Sequence, residues 1–311
     1  MRRSFFILIL SAQSLVAGLE RFPGFIAADP SGARTGPDSL RVTYLGTNGY
    51  QFESGGHVLL VDPYFSRIEL FAVLLNSRIQ PDEQRIDSAM KHLAPRFDAI
   101  VVTHGHFDHL LDVPTLMRRT HTRLLGSHTA VELARYSGVP AQDCVTLSPG
   151  DKRVIGPWEI RCLAATHDTV FPIGVPFSGS LKRASAPERA SDWVCGEPLA
   201  FIITVAGQRI YLDSGGTPAL LPSKNLAPVD LAILGVALPD SRARFAEAVR
   251  RLRPRYVVPS HQDDFFRPLD VGFKFGLLTD FPRVLRDYKN QRLPGRLVLL
   301  DYFEPWTLPR Q

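Results

Sequence analysis

The segment Thr103-His104-Gly105-His106-Phe107-Asp108-His109 places three histidines and an aspartate within six consecutive positions. Imidazole and carboxylate are the side chains that zinc and related divalent ions take as ligands. The alternation His-x-His carries two rings to the same side of an extended loop. The carboxylate and imidazole that follow can then face a second ion. The whole chain of 311 residues has only nine histidines, so chance does not account for this density. Three more polar residues stand just past apolar, strand-like runs. His167 follows Cys162-Leu163-Ala164-Ala165-Thr166, Asp213 follows Ile210-Tyr211-Leu212, and His261 follows Val257-Val258-Pro259-Ser260. Any one alone reads as an ordinary polar strand end. Together, and in this order after the motif, they read as the rest of a ligand set.

Seven candidates exceed the four places of a single tetrahedral site, which predicts two metal ions. Two divalent ions about 3.5–4 Å apart can polarise a scissile carbonyl or phosphoryl group and bring a shared water's pKa toward about 7. Asp108, able to ligate and to orient that water, is the catalytic candidate. Asp62 ends an apolar run before Pro63 and reads equally as a turn residue or as a hydrogen-bond partner for a ligand histidine. His57, His92, His121 and His128 have no such context and read as structural or surface residues.

The elements that must position these side chains are mostly strands. A strand at 41–46 is followed by a hairpin in which Ser54-Gly55-Gly56 joins 50–53 to 57–62. Residues 65–95 read as helix and loop. The continuous apolar run Ala99-Ile100-Val101-Val102 reads as a short buried strand leading into the motif. Helices are expected over 115–120, 129–137 and 281–289. Further strands are expected at 123–126, 158–163, 199–205, 209–213, 231–234, 256–259 and 296–300. The basic stretch from Arg242 to Arg255 carries Phe245, Val249 and Leu252 at helical spacing, the mark of an outer helix with a solvated basic face. Two face-to-face sheets covered by helices would satisfy this order of elements.

With the motif and the three later residues in place, the chain resembles the metallo-β-lactamase superfamily from about Leu40 to its end. Within that superfamily it is most similar to the branch of ascorbate-phosphate lactonase-like and phospholipase D-like hydrolases. Asp112, soon after the motif, is compatible with that branch. The resemblance implies an α/β fold, the αββα sandwich. It implies that His104, His106 and His167 hold one ion, that Asp108, His109 and His261 hold the other, and that Asp213 bridges them. Zinc is the metal it favours, with manganese and iron as alternatives. Asp213 stands where true β-lactamases of the superfamily tend to carry cysteine, and His106 stands where its flavodiiron members carry glutamate.

The rest of the chain narrows the reading. A formal net charge of +5 favours anionic substrates or an anionic membrane surface. Cys144, Cys162 and Cys195 include no Cys-x-x-Cys pair, so neither a disulfide framework nor a thiolate zinc site is expected. Arg2 and Arg3 precede an uncharged stretch from Phe5 to Leu19 that is short for a membrane span. Residues 1–28 therefore read as an export signal or membrane anchor, cut after Gly18 or Ala28 if cleaved, and residues 29–39 as a linker. The protein is then expected outside the cytoplasm or at a membrane. Residues 40–311 form the hydrolase domain. The loop Phe171-Pro172-Ile173-Gly174-Val175-Pro176-Phe177 is unusually apolar and follows His167 closely, so Phe171 and Phe177 are candidates for substrate binding. The substrate expected is small or lipid-like, with an ester-type bond, a phosphodiester or a lactone. A metal-binding scaffold of the same fold and a nuclease of the superfamily are the alternatives. No nucleic-acid partner is expected, because the basic stretch lacks interleaved aromatic residues.

Overall fold

The computed structural model describes residues 18–29, 36, 38–170, 174–181, 184–215, 226, 228–276 and 278–310. The first half of the chain supplies β1 (Arg41–Gly46), β2 (Gly49–Ser54), β3 (His57–Val61), β4 (Ala99–Val101), β5 (Arg123–Gly126) and β6 (Cys144–Thr146). The second half supplies β7 (Lys152–Ile155), β8 (Trp158–Ala164), β9 (Leu199–Val205), β10 (Gln208–Leu212), β11 (Leu231–Gly235), β12 (Tyr256–Ser260) and β13 (Arg296–Leu297). The last strand, β14 (Pro305–Thr307), returns to the first sheet.

The sheets run β14-β1-β2-β3-β4-β5-β6 and β13-β12-β11-β10-β9-β8-β7. Each joins an antiparallel meander to a parallel half. β1, β2 and β3 pair antiparallel, then β3, β4, β5 and β6 pair parallel. Likewise β7 to β10 are antiparallel and β10 to β13 parallel. Composition follows this division. β4 and β11 are buried along their whole length, as parallel strands covered on both faces must be, whereas β8 begins with strict alternation of buried and half-buried residues.

The inner faces meet through Tyr50, Phe52, Leu59, Val101, Trp158, Phe201 and Ile203. Burying each such side chain fully contributes roughly 1.5–3 kcal/mol. Five helices accompany the first sheet in sequence: α1 (Leu70–Leu74), α2 (Glu83–Met90), α3 (Phe107–Leu110), α4 (Val113–Thr120) and α5 (His128–Tyr136). Ile86, Leu110, Leu116 and Ala130 from α2 to α5 pack with Leu60, Ile100 and Leu124 of that sheet's outer face. On the second sheet lie α6 (Pro239–Leu252) and α7 (Phe281–Asn290). α6 buries Phe245, Val249 and Leu252, the three residues whose spacing announces it. The result is the αββα sandwich.

Several boundaries differ from the sequence reading. The strand expected over 296–300 is assigned only at Arg296–Leu297. β6, β7 and β14 were not legible. β7 reads Lys-Arg-Val-Ile with three exposed residues at a sheet edge, and β14 begins with proline. The N-terminal boundary also moves. Residues 18–28 are not separate from the domain: Leu19 is buried, Phe22 packs edge-on against Phe275 and Phe281, and the Ala27 N–H donates to the Leu299 carbonyl. Asp29 likewise accepts from the Thr307 N–H at 2.7 Å. The remainder of the predicted export segment, residues 1–17, lies outside the described residues, as do 30–35 and 37 of the predicted linker. Among the described residues, no helix is long and apolar enough to cross a membrane.

Candidate metal centre

The predicted ligands lie just past the C-terminal ends of strands, where an open α/β sheet leaves its binding crevice. β4 leads to His104, His106, Asp108 and His109, β8 to His167, β10 to Asp213, and β12 to His261. His106 precedes a short helical turn, α3, and Asp108 and His109 sit on that turn rather than on an extended loop.

His104, His106 and His167 gather on one side. Their ring centroids stand 4.6 to 4.8 Å apart, and His104 Nε2 lies 2.9 Å from His106 Nδ1. Each ring has its other nitrogen engaged outward. His106 Nε2–H donates to the Pro176 carbonyl at 2.9 Å, which leaves Nδ1 as the lone-pair nitrogen. His167 Nδ1–H donates to the Asp168 carbonyl at 2.8 Å, which leaves Nε2. His104 Nδ1 faces Thr103 Oγ1 at 3.1 Å and Ser214 Oγ at 3.3 Å. Burial, reinforced by His167, pushes the His106 pKa down to about 3, and burial takes His167 down to about 4. Neutral imidazole is the form that binds a metal.

Asp108, His109 and His261 form the second group. Asp108 Oδ2 lies 3.1 Å from His261 Nε2 and 3.4 Å from His109 Nε2. Burial alone would raise the Asp108 carboxyl, but His109 and His261 beside it hold it well below the usual carboxylate range. Burial opposes charge on His109, yet Asp108 and Asp62 outweigh it and lift that pKa to about 10. His109 Nε2 is buried without a hydrogen bond. That nitrogen, 3.4 Å from an ionised carboxylate, becomes a donor once an ion displaces its proton, so the trio suits a cation. The two groups adjoin, with the His104 and His109 rings 4.1 Å apart.

Asp213 is placed differently. Its carboxylate accepts from the Gly215 and Gly235 N–H groups, both at 3.2 Å, and from the Tyr211 hydroxyl at 3.1 Å, and it belongs to neither group. The Phe177 ring stands 6.2 Å from that of His106 and 6.5 Å from that of Phe107. Phe171 lies outside the described residues. His57, His92, His121 and His128 are all exposed and belong to neither group.

Asp62 takes the histidine-holding place. It is fully buried, adopts φ +42, and its Oδ2 accepts from His109 Nδ1 at 2.9 Å. The same carboxylate accepts from the Thr103 N–H and hydroxyl and from Asn48 Nδ2. Asn48 Oδ1 in turn accepts from Ser260 Oγ, next to His261, so one buried amide ties the supports of two ligands together. His261 itself has φ +51, a conformation uncommon outside glycine. Sequence reasoning missed Asn48, Thr103 and Ser214, since small polar residues at turns carry no distinguishing signal. It also missed Cys195, which lies with His104, His106 and His167. Burial pushes that thiol up to about 12.

With these two groups at the strand ends of an αββα sandwich, the chain belongs to the β-lactamase superfamily, whose domain it matches over residues 57–262. Among its relatives, a UPF0173 metal-dependent hydrolase of Staphylococcus haemolyticus is 26% identical over 238 residues, covering 73% of this chain and 87% of that protein. Another UPF0173 metal-dependent hydrolase, of Thermococcus kodakarensis, is 28% identical over 230 residues, covering 71% and 84%. Among solved structures, Igni18, a metallo hydrolase from Ignicoccus hospitalis, superposes with a TM-score of 0.56 at 19% identity, covering 88% of this chain and all (100%) of that one. At that identity the likeness speaks for the fold alone.

Proposed function

We propose that the protein is a dinuclear metal-dependent hydrolase that cleaves an ester-type bond, a phosphodiester or a lactone, in a small or lipid-like molecule. The observation that carries this reading is the pair of adjoining donor groups on one motif, with the His104 and His109 rings 4.1 Å apart. The names of the UPF0173 relatives support the hydrolase class. His104, His106 and His167 would hold one ion and Asp108, His109 and His261 the other, zinc in the first instance and manganese or iron as substitutes. Asp213 is the proposed bridge, which requires its carboxylate to exchange the Tyr211 bond. When bound, such a pair supplies Lewis acidity and lowers the pKa of water toward about 7.

The chain's own residues do the rest. Ionised Asp108 orients the attacking water while ligating the second ion. Burial keeps His106 and His167 neutral at pH 7, and the Pro176 and Asp168 carbonyls engage their outer nitrogens, which leaves the inner ones as donors. Phe177, half-buried beside His106 and Phe107, walls the first group with an apolar surface, and Phe171 is proposed to extend it. The basic excess favours an anionic substrate.

A matched series of phosphodiesters and lactones with short and long alkyl chains, offered to zinc- and manganese-loaded protein, tests this. We expect kcat/KM to rise with chain length and the rise to shrink in Phe177→Ala. Cleavage confined to peptide or thioester bonds would overturn the substrate class.

We also propose that the N-terminal segment directs export or anchors the chain at a membrane. Of the two cleavage points, Gly18 fits the packing, because a cut after Ala28 would remove the docked Leu19, Phe22 and Ala27. Fractionation of cells making the full chain or residues 19–311 should find only the former in the exported or membrane fraction. Equal recovery of both in the cytosol would refute it.

A further inference from the structure

We propose that Cys195 is a fourth donor to the first ion, completing a three-histidine, one-thiolate set with His104, His106 and His167. The inference rests on the metal-hydrolase reading above and reverses the expectation that no thiolate takes part. One ligand atom from each of the four residues lies within 4.8 Å of all the others, and Cys195 is only 3% exposed.

The backbone holds the sulfur there from both sides. The Cys195 N–H donates to the Phe177 carbonyl at 2.9 Å, and its own carbonyl accepts from the Gly105 N–H, inside the motif, at 3.1 Å. A Cβ on Gly105 would stand 2.3 Å from the Val194 carbonyl oxygen, so the missing side chain is what lets the two segments meet. Next to the cysteine, Gly196 takes φ +64, and a Cβ there would stand 2.3 Å from Thr129 Cβ. Asp213, the carboxylate nearest in role, is outside the group and turned to Gly215, Gly235 and Tyr211. Cys144 and Cys162 belong to neither group.

Sulfur binds a metal as thiolate, so the S–H proton leaves to solvent when the ion enters. Four protein donors fill a tetrahedral zinc site, so Asp213 would then serve the second ion alone rather than bridge the two. Water and substrate must then be taken up at the side of Asp108, His109 and His261, and the two ions have unequal tasks: one anchors, the other reacts.

The test is cobalt(II) titration of the metal-stripped full chain, wild type and Cys195→Ser, followed by electronic absorption and by proton release. Zinc X-ray absorption of the wild type runs beside it. We expect a thiolate-to-cobalt charge-transfer band in the wild type that Cys195→Ser lacks while keeping the weaker visible bands. The variant should also release one proton fewer. The zinc spectrum should show a sulfur neighbour at about 2.3 Å. If Cys195→Ser does not fold, that sulfur shell decides alone. Cobalt bound with visible bands and no thiolate band, or zinc surrounded only by nitrogen and oxygen, would overturn this inference and leave the metal reading standing. Failure of the wild type to bind cobalt or zinc would overturn both.

Discussion

Asp62 illustrates how much of the centre depends on residues that never touch the reacting atoms. Its carboxylate holds the His109 ring by Nδ1 and so presents Nε2 to the site, while its backbone stands at φ +42 to reach there. Groups that orient a ligand histidine in this way typically change metal affinity by about 10–100-fold. Asp62→Asn keeps the shape and removes the charge, so it should weaken binding by roughly that factor. Competition with a coloured chelator measures it, and an unchanged affinity would show that His109 is positioned by packing alone. At this scale the sequence was informative where ligands are contiguous: His104, His106, Asp108 and His109 announce themselves. It was silent where a residue arrives from elsewhere. Cys195 comes back from the β8–β9 connection, and Asn48 lies in the β1–β2 turn. The direction of the Asp213 carboxylate depends on Tyr211 of β10, the Gly235 amide of β11 and the Gly215 amide in the bend after β10, which no spacing encodes.

Elements were legible wherever apolar runs are long or uninterrupted. β9 was read to its exact bounds because Leu-Ala-Phe-Ile-Ile-Thr-Val is nearly continuous, and β11 was read to within a residue. The motif's helical turn, α3, was not, since four residues carry too little periodicity to show a face. α4, which follows it, depends on an anchor at its start. Asp112 is fully buried and accepts from the Ser66 N–H at 2.8 Å, from the Phe65 N–H and from the Ser66 hydroxyl. It therefore ties the segment after β3 to the helix that follows the ligands. Asp112→Ala would strand two buried N–H groups, each costing about 1–3 kcal/mol. A lower urea midpoint with a similar slope is the expected result, and an unchanged midpoint would mean that solvent reaches those amides.

Across the whole molecule, the segments behind His261 converge on one buried ion pair. Arg67, fully enclosed, donates from Nη1 to Asp263 Oδ2 at 2.7 Å. The same carboxylate accepts from the Tyr44 and Tyr302 hydroxyls and the Thr47 N–H, so the β1–β2 turn, the loop after β12 and the C-terminal segment share one anion. Removing one partner of a buried pair typically costs about 3–5 kcal/mol, because the other charge is left without compensation. Arg67→Ala should lose about that much stability in equilibrium unfolding, and a loss below about 1 kcal/mol would show the pair to be solvated. The sandwich itself followed from the order of strands and helices, but the docking of residues 18–29 did not, because Leu19, Phe22 and Ala27 carry no periodicity that marks a buried face. The proposed hydrolysis requires two metal ions per chain, and elemental analysis of gently purified protein against its concentration counts them. Two equivalents of a divalent metal, lost on chelation together with hydrolytic turnover and both restored on reloading, is the predicted result. A stoichiometry of one or none that persists after reloading would contradict it.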